Sequence, residues 1–257
     1  MANIIRPMKK LLIILTALCI LSPLTNAQLW KVHRLEVSGG LGATQFFGDI
    51  GGYPNRKNIL GIRDFTFKNT RFDLNANLRY RIAEDFDIRA NFMGGIFHST
   101  DARGANVNRG YEETTLFFEP SIIAEYYFIK NKKENSYLFE HDNLSFMKSI
   151  FASLDFYAFA GFGGLAYHVN PNNLLASLVT NPTGFTEVIP VGVGVTMIHS
   201  SKINFGVELG GRFTFSDNLD GFTSQTSYKN DVYYTLNFTV TYKLKTREKK
   251  EVPVFGK

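Results

Sequence analysis

Between residues 71 and 92 the chain alternates apolar and polar side chains in two runs. Phe72, Leu74, Ala76, Leu78 and Tyr80 share one parity, and Arg71, Asp73, Asn75, Asn77, Arg79 and Arg81 share the other. After Ala83-Glu84-Asp85 the alternation resumes, with Phe86, Ile88, Ala90 and Phe92 against Asp87, Arg89 and Asn91. Successive side chains of a strand point to opposite faces. Period two on both arms therefore predicts a β-hairpin, reaching to about residue 97, with one apolar and one polar face.

The same pattern predicts six further strands: 35–43 (closed by Phe46-Phe47), 116–128, 154–166, 188–197, 203–215 and 232–244. In 116–128, Leu116, Phe118, Ile122, Ala124, Tyr126 and Phe128 oppose Phe117, Glu119, Ser121, Glu125 and Tyr127. Pro120 falls inside this strand and cannot donate a ladder hydrogen bond. It predicts a bulge there or a later strand start.

Connection lengths alternate. Long segments follow the first strand (to Asn69) and cover 99–113, 169–187 and 216–230. Short or intermediate ones are 83–85, 199–202 and the charged stretch 131–148, with a short helix expected at 144–149. Short turns on one side and long loops on the other are the pattern of an up-and-down barrel in an outer membrane, and about 10 residues cross at a tilt. A soluble lipocalin-type barrel would turn the apolar set inward. Here the apolar faces are free of charge over their length, and the polar faces mix Gly, Ser, Thr and Asn with charges of both signs. The expected fold is all-β: an eight-stranded antiparallel up-and-down transmembrane β-barrel with both termini periplasmic. Tyr80, Phe86, Tyr126 to Phe128, Phe46 and Phe47 are the expected aromatic girdles.

The N-terminus extends this picture. Arg6, Lys9 and Lys10 precede an apolar run from Leu11 to Leu21, and Thr25-Asn26-Ala27 offers a small-residue cleavage site. The expected organisation is a signal peptide over 1–27, a barrel domain over 28–244 and a charged periplasmic tail over 245–257. The one cysteine, Cys19, leaves with the signal; Leu18 stands before it where a lipoprotein needs a small residue. A mature chain without cysteine draws its stability from hydrogen bonding and packing. Loss of Arg6, Lys9 and Lys10 lowers the formal charge from +5 by three, to +2, which argues against nucleic-acid binding. The 14% aromatic content is nearly all Phe and Tyr and suits strands.

An eight-stranded barrel is only wide enough for side chains to fill it, which argues against a diffusion pore. Expected lumen residues are Glu36, Arg71, Asp73, Arg79, Arg81, Asp87, Arg89, Glu119, Glu125, Asp155, Glu208, Arg212, Asp231 and Lys243. Charges withdrawn from water must pair, so these form an interior ion-pair and hydrogen-bond network. No catalytic, cofactor-binding or metal-ligating residues are expected, and the chain reads as non-enzymatic. His33, His98, His141, His168 and His199 show no metal-ligand spacing. There is no Gly-Xaa-Ser-Xaa-Gly elbow. Gly39-Gly40-Leu41-Gly42 leads into no helix, as a phosphate loop would. Asp217-Asn218-Leu219-Asp220-Gly221 lacks the spaced ligands of a calcium loop and reads as an acidic turn. An enzyme of the outer rim would have to gather His98, Asp101, His168 and Asp217 around one reacting centre.

Four segments carry a family resemblance. They are Gly42-Ala43-Thr44-Gln45-Phe46-Phe47-Gly48-Asp49-Ile50-Gly51-Gly52; Tyr157-Ala158-Phe159-Ala160-Gly161-Phe162-Gly163 leading to Asn170-Pro171; Gly211-Arg212-Phe213-Thr214-Phe215-Ser216-Asp217-Asn218-Leu219-Asp220; and the last strand, Tyr233 to Leu244. In this order they resemble the PorG-like outer-membrane barrels of Bacteroidota, which are associated with type IX secretion. Where that family tends to carry Thr-Asp-Tyr-Leu-Asp-Asp, this chain has Ser216-Asp217-Asn218-Leu219-Asp220-Gly221. The resemblance implies an accessory or anchor of a type IX-like protein secretion machine. Its partners would be outer-membrane lipid and periplasmic secretion proteins, met through 83–85, 130–148, 199–202 and 245–257. The alternative is a stand-alone structural or surface-binding barrel acting through its outer loops.

Overall fold

The computed structural model describes residues 33–52, 65–102, 106–130, 153–223 and 230–245. The expected signal peptide, the helix at 144–149, most of the 130–148 stretch and the tail beyond 245 lie outside the described residues.

Eight strands form one sheet that closes on itself: β1 (Leu35–Phe47), β2 (Arg71–Ala83), β3 (Phe86–Thr100), β4 (Glu112–Ile129), β5 (Leu154–Pro171), β6 (Thr183–Ile198), β7 (Ile203–Thr214) and β8 (Val232–Leu244). Each pairs antiparallel with its sequence neighbours. β1 and β8 close the wall from Leu35↔Leu244 to Phe47↔Val232. Following lateral partners once round the barrel leads from Val188 through Gly163, Ser121, Asn91, Asn77, Ser38, Thr241 and Asn204 to Ile198. The path returns to β6 ten residues further on, so the stagger is ten. With about 3.3 Å per residue along a strand and about 4.8 Å between strands, that stagger means a tilt of about 40°.

The faces are inverted relative to a soluble protein. Leu41, Phe72, Leu74, Ile122, Phe162, Leu209 and Phe238 are exposed on the outside, while the charged parity of each strand is buried inside. Every expected lumen residue is buried except Arg71, which sits half-exposed at the mouth and donates to the carbonyls of Lys68 and Thr70. Among the described strand residues, the only Asp, Glu, Lys or Arg side chains on the outward face are Glu112 and Glu187.

Several expectations need correction. β4 starts before, and β5 ends beyond, the expected limits, at Glu112 and Pro171. They form a tall hairpin, whose Glu113↔Pro171 pair lies within segments read as loops. β6 likewise starts at Thr183, and the connection before it holds a short helix, α1 (Asn173–Ala176), capped by the Asn172 side chain. β4 does not start late at Pro120, nor does it bulge there. The β4–β5 ladder skips Glu119 and Pro120 but keeps its register from Phe118↔Ala166 to Ser121↔Gly163. Pro120 turns its missing N–H towards β5 and remains the register partner of Phe92 on the other side. The girdle is partly corrected too: Tyr80, Phe86, Tyr126 and Phe128 face outward, but Phe46 and Tyr127 are buried in the lumen.

Candidate functional site

Among the described residues, charged groups converge in the barrel interior, which is built in layers. The layer at the short-turn end draws on seven strands, all but β6. Arg79 donates through Nε to Glu125 Oε2 at 2.7 Å and through Nη1 to Glu36 at 3.2 Å. Arg81 reaches the other Glu36 oxygen at 3.3 Å and lies 3.4 Å from Asp87. Arg89 donates to both oxygens of Glu208, with Nη2–Oε2 at 3.1 Å, and its Nε lies 2.9 Å from Glu125. The Tyr157 hydroxyl donates to Glu208 at 2.6 Å. Lys243 is the register partner of Glu36. The Arg89 guanidinium also lies over the Phe159 ring, 5.5 Å from its centroid. The register explains this convergence. Arg79↔Arg89 and Arg81↔Asp87 face each other across β2 and β3, so the cations meet carboxylates supplied by β1, β4 and β7.

The middle layer is smaller. Glu119 accepts from the Tyr233 hydroxyl and from Ser121 at 3.1 Å, and Arg212 lies 3.7 Å from it. Arg212 also donates to Thr235. Asp73 is fully buried beside this group.

The long-loop end is apolar, which the expectation of a polar lumen did not include. Phe97 stacks on Phe117 with centroids 4.1 Å apart and on Phe46 at 5.1 Å, with Tyr233 tilted against it at 4.6 Å. Met93, Leu165, Tyr167, Val169 and Val188 complete the cluster, and Leu219 joins it from the loop between β7 and β8. Leu219 is fully buried. Its N–H donates to Asp231 at 2.8 Å, and its carbonyl accepts from Thr115 at 2.9 Å. The segment read as an acidic turn is thus a plug.

Two aspartates latch this plug to the neighbouring loops. Asp220 accepts from the N–H groups of Asp49 at 2.8 Å, Ile50 at 3.1 Å and Phe222 at 2.9 Å. Asp101 accepts from Gly51 N at 3.0 Å and Tyr111 N at 3.2 Å, and from Arg109 twice, at 2.6 and 2.8 Å. Arg109 also reaches the Asp49 carbonyl at 3.0 Å, with its guanidinium between the rings of Tyr111 and Phe222. Burial, reinforced by the Asp49 carboxylate, pushes the Asp220 carboxyl up to about 7. Burial and then Asp220 push Asp231 well above the usual carboxylate range. Hydrogen bonding to Asp101 holds Arg109 above its ordinary value.

The four rim residues an enzyme would need are dispersed. His98 contacts Thr114 at 3.2 Å and Glu112 at 3.5 Å, Asp101 is paired with Arg109, and His168 is exposed on the outer face of β5. The Asp217 carbonyl accepts from Thr223. No described contact joins any two of the four. Among the described residues no three His, Cys, Asp or Glu side chains are grouped to hold a metal. Sequence reasoning missed Glu113 and Arg109, and it named Asp101 and Leu219 without their roles in latch and plug, because all four fall in segments read as polar loops. The one available signal was Leu219, the single large aliphatic residue in its acidic turn.

No protein-family model matches the chain, and no curated protein matches it. Several solved structures of outer-membrane proteins are similar to it at low values. Neisserial surface protein A is 12% identical, over 82% of this chain and 97% of its own, with a TM-score of 0.45. Ail of Yersinia pestis, in complex with the heparin analogue sucrose octasulfate, is 9% identical over 82% and 99%, with a TM-score of 0.44. A major outer membrane protein of Thermus thermophilus is 9% identical over 82% and 100%, with a TM-score of 0.44. At these values the likeness carries nothing about activity, and closure of the barrel rests on its own hydrogen-bonded register.

Proposed function

We propose that this chain is an outer-membrane anchor rather than a pore or an enzyme. One observation carries the reading: a closed eight-stranded barrel with an apolar outer wall and inward side chains buried in every strand. A wall bearing Leu41, Phe72, Ile122, Phe162 and Phe238 is stable against hydrocarbon, and closed barrels leave no unpaired edge there. The filled lumen leaves function to the ends of the strands.

In its finer form the anchor serves a type IX-like protein secretion machine, non-enzymatically, from the periplasmic side. The ordered resemblance of four segments to PorG-like barrels supports this. The contact surface comprises the turns at 83–85 and 199–202, with 130–148 and the tail. Deleting 131–148 and 246–257 should abolish co-purification of periplasmic partners while the barrel keeps its heat-modifiable mobility on gels. Unchanged co-purification refutes that surface. A second reading, surface binding through the outer loops, is favoured by Phe67, Val107, Leu174 and Leu178, all exposed beyond the long-loop ends of the strands. It predicts that trimming 106–109 and 173–178 removes surface binding and spares the periplasmic partners.

A further inference from the structure

The outer wall has an open dent. It lies across β3 to β6, has a volume of about 500 Å³, and is lined by Phe92, Ile122, Phe162 and Phe185, with Pro120 and Gly164 among its other residues. That volume is in the ~300–1,000 Å³ range of small-molecule pockets. Two interruptions of the backbone ladders border it. The β4–β5 ladder skips Pro120 and Gly164, and the β5–β6 ladder is broken between Ala160↔Val191 and Gly163↔Val188, where Pro190 falls. Gly164 has no side chain to fill the gap, and the Phe185 ring lies against it: a Cβ there would be 2.5 Å from Cζ of that ring.

Glu187 is at the edge of this dent. It is exposed on the outward face, where the other carboxylate of the described strands is Glu112, and Glu112 has His98 3.5 Å away. Its backbone carbonyl accepts from Phe215 and Thr186, but its carboxylate makes no salt bridge with a described residue. Val188↔Thr214 closes the β6–β7 pairing at the top of β7, so Glu187 lies level with the end of β7 and below the taller β4–β5 hairpin. A carboxylate at the rim of an apolar groove calls for a ligand with an apolar chain and a cationic end.

We propose that this groove is a binding site for a phospholipid with a primary-ammonium headgroup. One acyl chain lies along Pro120 between Phe92, Ile122, Phe162 and Phe185, and the ammonium donates to Glu187. The site rests on the membrane reading above. A primary ammonium offers N–H donors to the carboxylate, and an anionic glycerol headgroup meets repulsion at the same place.

The test uses the mature chain folded in phosphatidylcholine vesicles. Spin-labelled phosphatidylethanolamine and spin-labelled phosphatidylglycerol are compared by the motionally restricted fraction each contributes. The wild type should prefer phosphatidylethanolamine about tenfold, the size of one hydrogen bond to a charged group. Glu187→Gln should bring the two lipids to parity, and Gly164→Leu, which drives the Phe185 ring from its place in the groove wall, should reduce retention of phosphatidylethanolamine to the level of the bulk lipid. Equal retention of both lipids by the wild type overturns the site, as does a preference that survives Glu187→Gln. A chain that gains no heat-modifiable, protease-resistant form in the vesicles overturns the membrane reading itself, which is a distinct result.

Discussion

Replacing Arg89 by methionine separates a structural interior network from a functional one. Arg89 is 1% exposed and binds Glu208 through two guanidinium nitrogens, while its Nε lies 2.9 Å from Glu125. Methionine keeps much of the length and none of the charge. Glu125 is little affected, because Arg79 still donates to both its oxygens at 2.7 and 3.3 Å. Glu208 loses both guanidinium bonds and keeps the Tyr157 hydroxyl at 2.6 Å. Leaving a buried carboxylate without its cation costs about 3–5 kcal/mol. Adding Glu208→Leu removes the stranded charge and leaves the Tyr157 hydroxyl without its acceptor, at about 1–3 kcal/mol. The double variant should therefore be more stable than the single one, and the cycle should give a coupling of about 2 kcal/mol or more. Urea unfolding in phosphatidylcholine vesicles, followed by circular dichroism, measures all four proteins. A single variant within about 1 kcal/mol of wild type would refute the reasoning. So would a double variant no better than the single one.

Leu219→Ala should cost about 2–5 kcal/mol, because it empties a fully buried position among aromatic rings. Hydrogen exchange should show the loss first in 216–223, since the plug is held from one end of the barrel. Gly42→Val should prevent closure: a Cβ at Gly42 would stand 2.7 Å from the Leu236 carbonyl and against the Asn237 side chain. The β1–β8 backbone cannot yield, and loss of the heat-modifiable band on gels checks it. The Asp220 carboxyl has a folded value of about 7, above the ordinary 3.8, so the folded state favours its neutral form. Its contribution to stability is fully present below about pH 4 and is lost as pH rises through 7. Wild type should therefore lose stability relative to Asp220→Asn between pH 4 and 8 in paired urea titrations, and parallel curves would refute it.

The wall of this protein is legible in its sequence almost residue by residue. β2, β7 and β8 begin and end within two residues of the expected limits, and the parity of Arg79, Arg89, Glu125 and Glu208 correctly puts them inside. The expectation failed where a local pattern stopped being the only influence. Pro120 was read as a break, yet the neighbouring β3 holds its register through Phe92↔Pro120 and one missing donor does not displace a long strand. Residues 99–113 and 169–187 were read as loops for their Gly, Asn and Pro. There β4 and β5 support one another as a hairpin taller than the rest of the wall. Phe46 was assigned to a girdle, but beyond Thr44 strand β1 no longer pairs with β2, and its ring packs on Phe97 inside.

What the sequence determined by itself is the inverted barrel. Alternation is a local property, because each peptide unit turns its side chain opposite to the last, and eight such runs joined by short and long connections allow one compact closure. What only the tertiary structure decided is how the barrel is filled and stoppered. Asp220 binds the N–H groups of Asp49 and Ile50 some 170 residues away, and Leu219 meets Phe97 and Phe117 only because the stagger of the closed sheet brings them to the same end. Such contacts depend on register and closure, which no short window of sequence encodes. They turn an apparently ordinary acidic turn into the plug of the barrel.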